Sequence, residues 1–126
     1  MTKLSDFDLD FSFGQEGENL VNELLTGGKT VEVKRDRKWY QTGNLYIETE
    51  CWSNESKSWV NSGLLTTKAE YWAFVLETGV VMVTTKCVAW TVQRYGHRIE
   101  CSIEPNYSRG FLITAENLFD MVRKMR

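Results

Sequence analysis

No stretch of eighteen or more apolar residues occurs in the 126-residue chain, and no charged segment followed by an apolar one opens it. A helix needs about twenty apolar residues to cross a bilayer core, so neither a spanning helix nor a secretory leader is expected. Cysteine is sparse. Cys51, Cys87 and Cys101 are odd in number and widely spaced, which fits buried thiols in a reducing cytoplasm rather than a disulfide framework. Histidine is sparser still: His97 stands alone, four residues before Cys101, and Cys51 and Cys87 lack Cys-x-x-Cys partners, so the spacing of a zinc site is missing. Nothing resembles a nucleophile turn, and His97 has no assignable partner, which argues against serine or cysteine nucleophile chemistry. Strong charge of one sign is also absent, with 15 Lys and Arg against 17 Asp and Glu, a net charge of −2. That balance argues against a protein that coats nucleic acid indiscriminately. No internal repeat or low-complexity tract is present.

What is present suffices for one globular domain. Hydrophobic residues make up 42% and aromatic residues 13%, enough for a modest core without covalent staples. Acid gathers in Asp6, Asp8 and Asp10 and between Glu16 and Glu23, and base at Lys34-Arg35, Arg37-Lys38, Arg94, Arg98 and Arg123-Lys124. Residues 1–13 read as an N-terminal arm, extended over 6–13 where Phe7, Leu9, Phe11 and Phe13 alternate with acids or serine, and residues 14–126 as the domain. Leu20, Val21, Leu24 and Leu25 are spaced for an amphipathic helix from Gly14 that Gly27-Gly28 ends. The apolar runs Tyr71–Leu76 and Val80–Val83 flank Glu77-Thr78-Gly79 as a second hairpin of buried central strands. Trp52–Gly63 reads as a loop. A helix capped by Thr84 or Thr85, a strand near Arg98–Ile103, a turn at Pro105-Asn106, a strand at Phe111–Ile113 and a helix capped by Thr114 complete a mixed α/β sandwich.

The segment from Lys29 to Cys51 carries the chemistry. Thr30–Asp36 and Leu45–Cys51 both alternate with period two, and Thr42-Gly43-Asn44 supplies a turn between them. Paired antiparallel about Thr42, they set Asp36 opposite Glu48 and Lys34 opposite Glu50, with Val31, Val33, Ile47 and Thr49 on the other face. Clustered carboxylates repel unless a cation neutralises them, so this face is the expected metal site. Taken singly, alternating charges usually mark a solvated sheet face.

From about Gly14 to Thr85 the chain resembles the PD-(D/E)XK nuclease superfamily, and within it the small phage and archaeal Holliday-junction resolvase-like members. Gly14-Gln15-Glu16-Gly17-Glu18, Asp36, Glu48-Thr49-Glu50 and Thr67-Lys68-Ala69-Glu70-Tyr71-Trp72 carry the likeness. The resemblance implies a central mixed β-sheet flanked by helices and Mg²⁺- or Mn²⁺-dependent hydrolysis of DNA phosphodiesters, selective for branched DNA. It also implies a homodimer in the cytoplasm of a bacterium or phage-infected cell. Glu18, Asp36, Glu48 and Glu50 would hold metal, and Lys34 or Lys68 would assist, because Glu50 stands where such proteins carry lysine. A second mapping takes Glu32-Val33-Lys34 as the Glu-x-Lys pair, but a helix rather than an aspartate-bearing strand then precedes it. An acidic balance is compatible with this chemistry, since bound cations offset ligand charge. Arg35, Arg37 and Lys38 would contact phosphates, with Trp39, Tyr40, Trp52 and Trp59 placed for stacking or packing. The rival expectation is a catalytically inactive nuclease-fold module that binds DNA or protein.

Overall fold

A computed structural model of the chain describes residues 6–103 and 106–125, with side chains over 12–102 and 107–125. Two compact units divide at residue 30. The first holds α1 (Asp6–Thr26). Its helix ends where Gly27 takes a left-handed φ of +84° and the Gly28 N–H donates to the Glu23 carbonyl at 2.8 Å, as helix-ending glycines do. Residues 6–13 are therefore helical rather than an extended arm. Phe7 and Phe11, like Leu9 and Phe13, are also four apart, so helical spacing competes with strand alternation, and Asp6, Asp8 and Asp10 favour the positive end of a helix dipole.

The second unit contains β1 (Val31–Arg35), the four-residue α2 (Trp39–Thr42), β2 (Asn44–Ser53), β3 (Ser58–Asn61), a 3₁₀ turn at Gly63–Leu65, β4 (Tyr71–Leu76), β5 (Gly79–Thr84), α3 (Thr85–Tyr95), β6 (His97–Ile103), β7 (Asn106–Thr114) and α4 (Ala115–Lys124). The expected α/β class is thus present, with the strands divided between two sheets. One is mixed, in the order β1-β4-β5, and the other antiparallel, in the order β3-β2-β7-β6. No described helix is long and apolar enough to cross a membrane.

The hairpin of β1 with β2 does not form. β1 runs parallel to β4, Val31 beside Tyr71 and Arg35 beside Val75, while β2 pairs with β3 and β7. Residues 36–43 are not a tight turn: Trp39 N–H reaches the Asp36 carbonyl, and α2 closes on Gly43 at φ +73°. Trp52–Gly63 is likewise not a loop, because β2 continues to Ser53, turns, and returns as β3 with Trp52 opposite Trp59. The β4–β5 hairpin does form, with Leu76 opposite Gly79. β4 is its sheet's central strand and buries Trp72, Ala73 and Phe74 consecutively, whereas β5 is an edge that exposes Val80 and Met82.

The core joins Leu45 and Ile47 of β2, Trp72 and Phe74 of β4, and Ile113 of β7 to Val88 of α3 and Leu118 of α4. Both helices begin at caps legible in the sequence. The Thr84 hydroxyl accepts from Cys87 N–H, and Thr114 forms a reciprocal capping box with Asn117. Thr114→Ala is expected to lower unfolding free energy in urea by about 1 kcal/mol. β7 starts at Asn106, well before Phe111; Pro105 of the expected turn lies outside the described residues.

Candidate functional site

Alternation along β2 buries Leu45, Ile47 and Thr49 and turns Tyr46 and Glu48 to the opposite face. That face lines a cleft of about 670 Å³ shared with the Lys34–Lys38 segment and with Cys101 and Ser108. Asp36 ties the two walls together. Its Oδ1 accepts the Lys38 N–H at 2.9 Å and its Oδ2 the Tyr46 N–H at 3.1 Å, so one carboxylate joins the end of β1 to β2. Glu48 is held from the other side by the Ser62 hydroxyl, which donates to Oε2 at 2.8 Å. Gly63 lets that segment approach: at φ +52°, a Cβ there would lie 2.2 Å from the Glu48 carbonyl oxygen.

Lys34 is half-buried, 3.3 Å from Glu32 and 5.3 Å above the centre of the Trp72 ring. Lys34 thus shares the cleft with Asp36 and Glu48 as expected, but Val33 does not join Ile47 and Thr49 in the core. Glu32 and Lys34 take the Trp72 side, while Val33 is 63% exposed.

Of the six residues expected to act in catalysis, the cleft brings together Lys34, Asp36 and Glu48. Glu50 is sent elsewhere by a bulge. Glu48 lies opposite Gly110 but Glu50 lies opposite Arg109; neighbours on β7 point to opposite faces, so the extra residue puts Glu50 on the far side of the sheet from Glu48. There it sits 3.8 Å from Arg98 instead of opposite Lys34. Lys68, exposed in the segment before β4, does not line the cleft. Glu18 belongs to the separate α1 unit. Among the nucleic-acid candidates, Arg35, Arg37 and Lys38 line the cleft, and Trp39 and Tyr40 line an adjoining hollow.

Among the described residues no group of three His, Cys, Asp or Glu gathers as a metal-binding cluster, so the four-carboxylate set is not assembled. Asp36 and Glu48 remain the acidic pair of the cleft. Two hard oxygen donors suit Mg²⁺, which commonly takes one or two carboxylates and completes its shell with water and substrate phosphate.

Tyr46 and Ser108 share a hydrogen bond of 2.8 Å between their hydroxyls. Burial pushes the Tyr46 phenol up to about 12; the Ser108 bond opposes this, and Cys101 and Glu48 add to the rise. Because the neutral phenol is the form favoured in the folded state, its stabilisation is complete below the unfolded value of 10.0. It is lost as pH rises through the folded value. Melting temperature is accordingly expected to fall between pH 10 and 12 by a margin that Tyr46→Phe reduces. Tyr46 was not singled out from the sequence, although its alternation with Glu48 is the signal that could have found it. Ser108 and Cys101 carried no such signal, since their positions depend on β7 entering between β2 and β6.

Comparison with protein-family models, curated proteins and solved structures finds no match.

Proposed function

We propose that the chain is a divalent-metal-dependent DNA endonuclease, selective for branched DNA, whose working cleft is bounded by Asp36, Glu48 and Lys34. The observation that carries this reading is the convergence of two carboxylates and a half-buried lysine with Arg35, Arg37 and Lys38 in one cleft. Asp36 and Glu48 would hold the metal, which supplies Lewis-acid polarisation of the phosphate and a water acidified towards hydroxide. Lys34 then offsets charge that develops on the phosphate oxygens, its ammonium held in place by Glu32 and the Trp72 ring. Arg35, Arg37 and Lys38 bind neighbouring phosphates, a sequence-independent attraction that weakens with salt. Homodimerisation is part of the proposal through the resemblance alone.

A second reading has an observation of its own. Both Asp36 oxygens already accept backbone N–H groups, which suits a structural carboxylate in a non-catalytic binding module. Labelled four-way junction, splayed-arm, single-stranded and linear duplex DNA incubated with Mg²⁺ or Mn²⁺ separates the two. Preferential junction cleavage supports the endonuclease. Binding without cleavage of any substrate gives the module instead.

A further inference from the structure

Beside the cleft lies a second hollow of about 570 Å³ that shares Arg35, Asp36 and Arg37 with it and adds Trp39, Tyr40 and Glu77. Its volume falls in the range of about 300–1,000 Å³ typical of small-ligand pockets. Three features distinguish it from ordinary surface relief. Trp39 is half-buried against the core, but Tyr40, next in the chain, is 76% exposed, a free aromatic face of the kind on which unpaired bases stack. Glu77 is the first residue of the β4–β5 turn and has φ +42°. Glycine occupies such a conformation at little cost and glutamate does not, so the lining includes a carboxylate carried on strained backbone. Finally, the shared wall carries the guanidinium groups of Arg35 and Arg37, donors of the kind that pair with phosphate, between cleft and hollow.

We infer that the hollow receives one unpaired guanine base of the bound DNA, stacked on Tyr40 and read by Glu77. A carboxylate only accepts hydrogen bonds. Guanine alone among the four DNA bases presents two adjacent donors, N1–H and the N2 amino group, on its pairing edge. Adenine and cytosine set an acceptor beside their amino group, and thymine flanks its single N–H with carbonyls. The backbone leaving the base would then run along Arg35 and Arg37 towards the cleft. This inference rests on the DNA-binding part of the reading above and not on cleavage.

The test uses the full chain in EDTA and the fluorescence anisotropy of labelled oligothymidylate carrying one central guanine, inosine or adenine. Inosine removes only the N2 amino group. The guanine strand is expected to bind about tenfold more tightly than the inosine strand. Glu77→Gln should erase that difference, and Tyr40→Ala should weaken the guanine strand more than unsubstituted oligothymidylate. Glu77→Gly should lose the preference while raising the melting temperature, which separates loss of recognition from loss of folding. Equal affinity for guanine and inosine, discrimination intact in Glu77→Gln, or no binding to any strand overturns the inference. Junction cleavage without guanine preference would remove the base site and leave the nuclease, whereas guanine preference without cleavage would do the reverse.

Discussion

Glu48→Gln is expected to lower metal-dependent cleavage of a four-way junction by about a hundredfold or more, with little change in stability. Glutamine keeps the length of the side chain and an oxygen that can still accept from Ser62, whose hydroxyl lies 2.8 Å from Oε2. What it removes is the negative charge facing the cleft. Loss of a single preorganised electrostatic group in an active site commonly costs about 10²–10³ in rate, and a metal ligand belongs to that class. Asp36→Asn should lose activity similarly but is the less clean variant. Both Asp36 oxygens accept backbone N–H groups, and an amide opposes one of these with a donor. A stability loss of about 1–3 kcal/mol should accompany it. Single-turnover cleavage beside urea unfolding distinguishes the two effects. An unchanged rate in Glu48→Gln, with the variant folded, would remove Glu48 from the mechanism.

Gly110→Ala should cost about 3 kcal/mol or more in urea unfolding, an effect large enough to be diagnostic. A Cβ at this position would lie 2.2 Å from the Ile47 carbonyl oxygen and 2.9 Å from the Glu48 Cα. Both are backbone atoms, so no side chain can swing aside, and β7 would have to draw away from β2 where the ladder is already bulged. Gly79→Ala is the control: nothing lies within 4 Å of its Cβ position, and a change within about 0.5 kcal/mol is expected. Equal stability of the two variants would contradict the β2–β7 pairing itself. Cleavage by Gly110→Ala should also suffer, because the same contact places Glu48.

Local chemistry was readable in the residues. Thr84 and Thr114 cap helices because a hydroxyl before an amphipathic run has backbone donors within reach. Glu77-Thr78 turns β4 into β5 because two apolar runs so closely spaced have no partner nearer than each other. Period-two alternation correctly separated Ile47 and Thr49 from Glu48. Which strands lie side by side was a different matter. β1 and β2 read as a hairpin, yet β1 joins β4 across two intervening strands, and β7 enters beside β2 from sixty residues away. Alternation states which side chains share a face of a strand, but it contains no term for the neighbouring strand, and pairing partners are chosen by the burial of the whole core. The bulge shows the limit most directly. Glu48 and Glu50 share a face in any regular strand, and only the pairing of β2 with β7 shows the extra residue that parts them. The sequence by itself therefore determined the α/β class, the caps and the placing of Asp36, Glu48 and Lys34 as candidates. Tertiary structure alone decided that these three meet without Glu50 or Lys68, because long-range register, unlike local periodicity, is set by contacts between residues far apart in the chain.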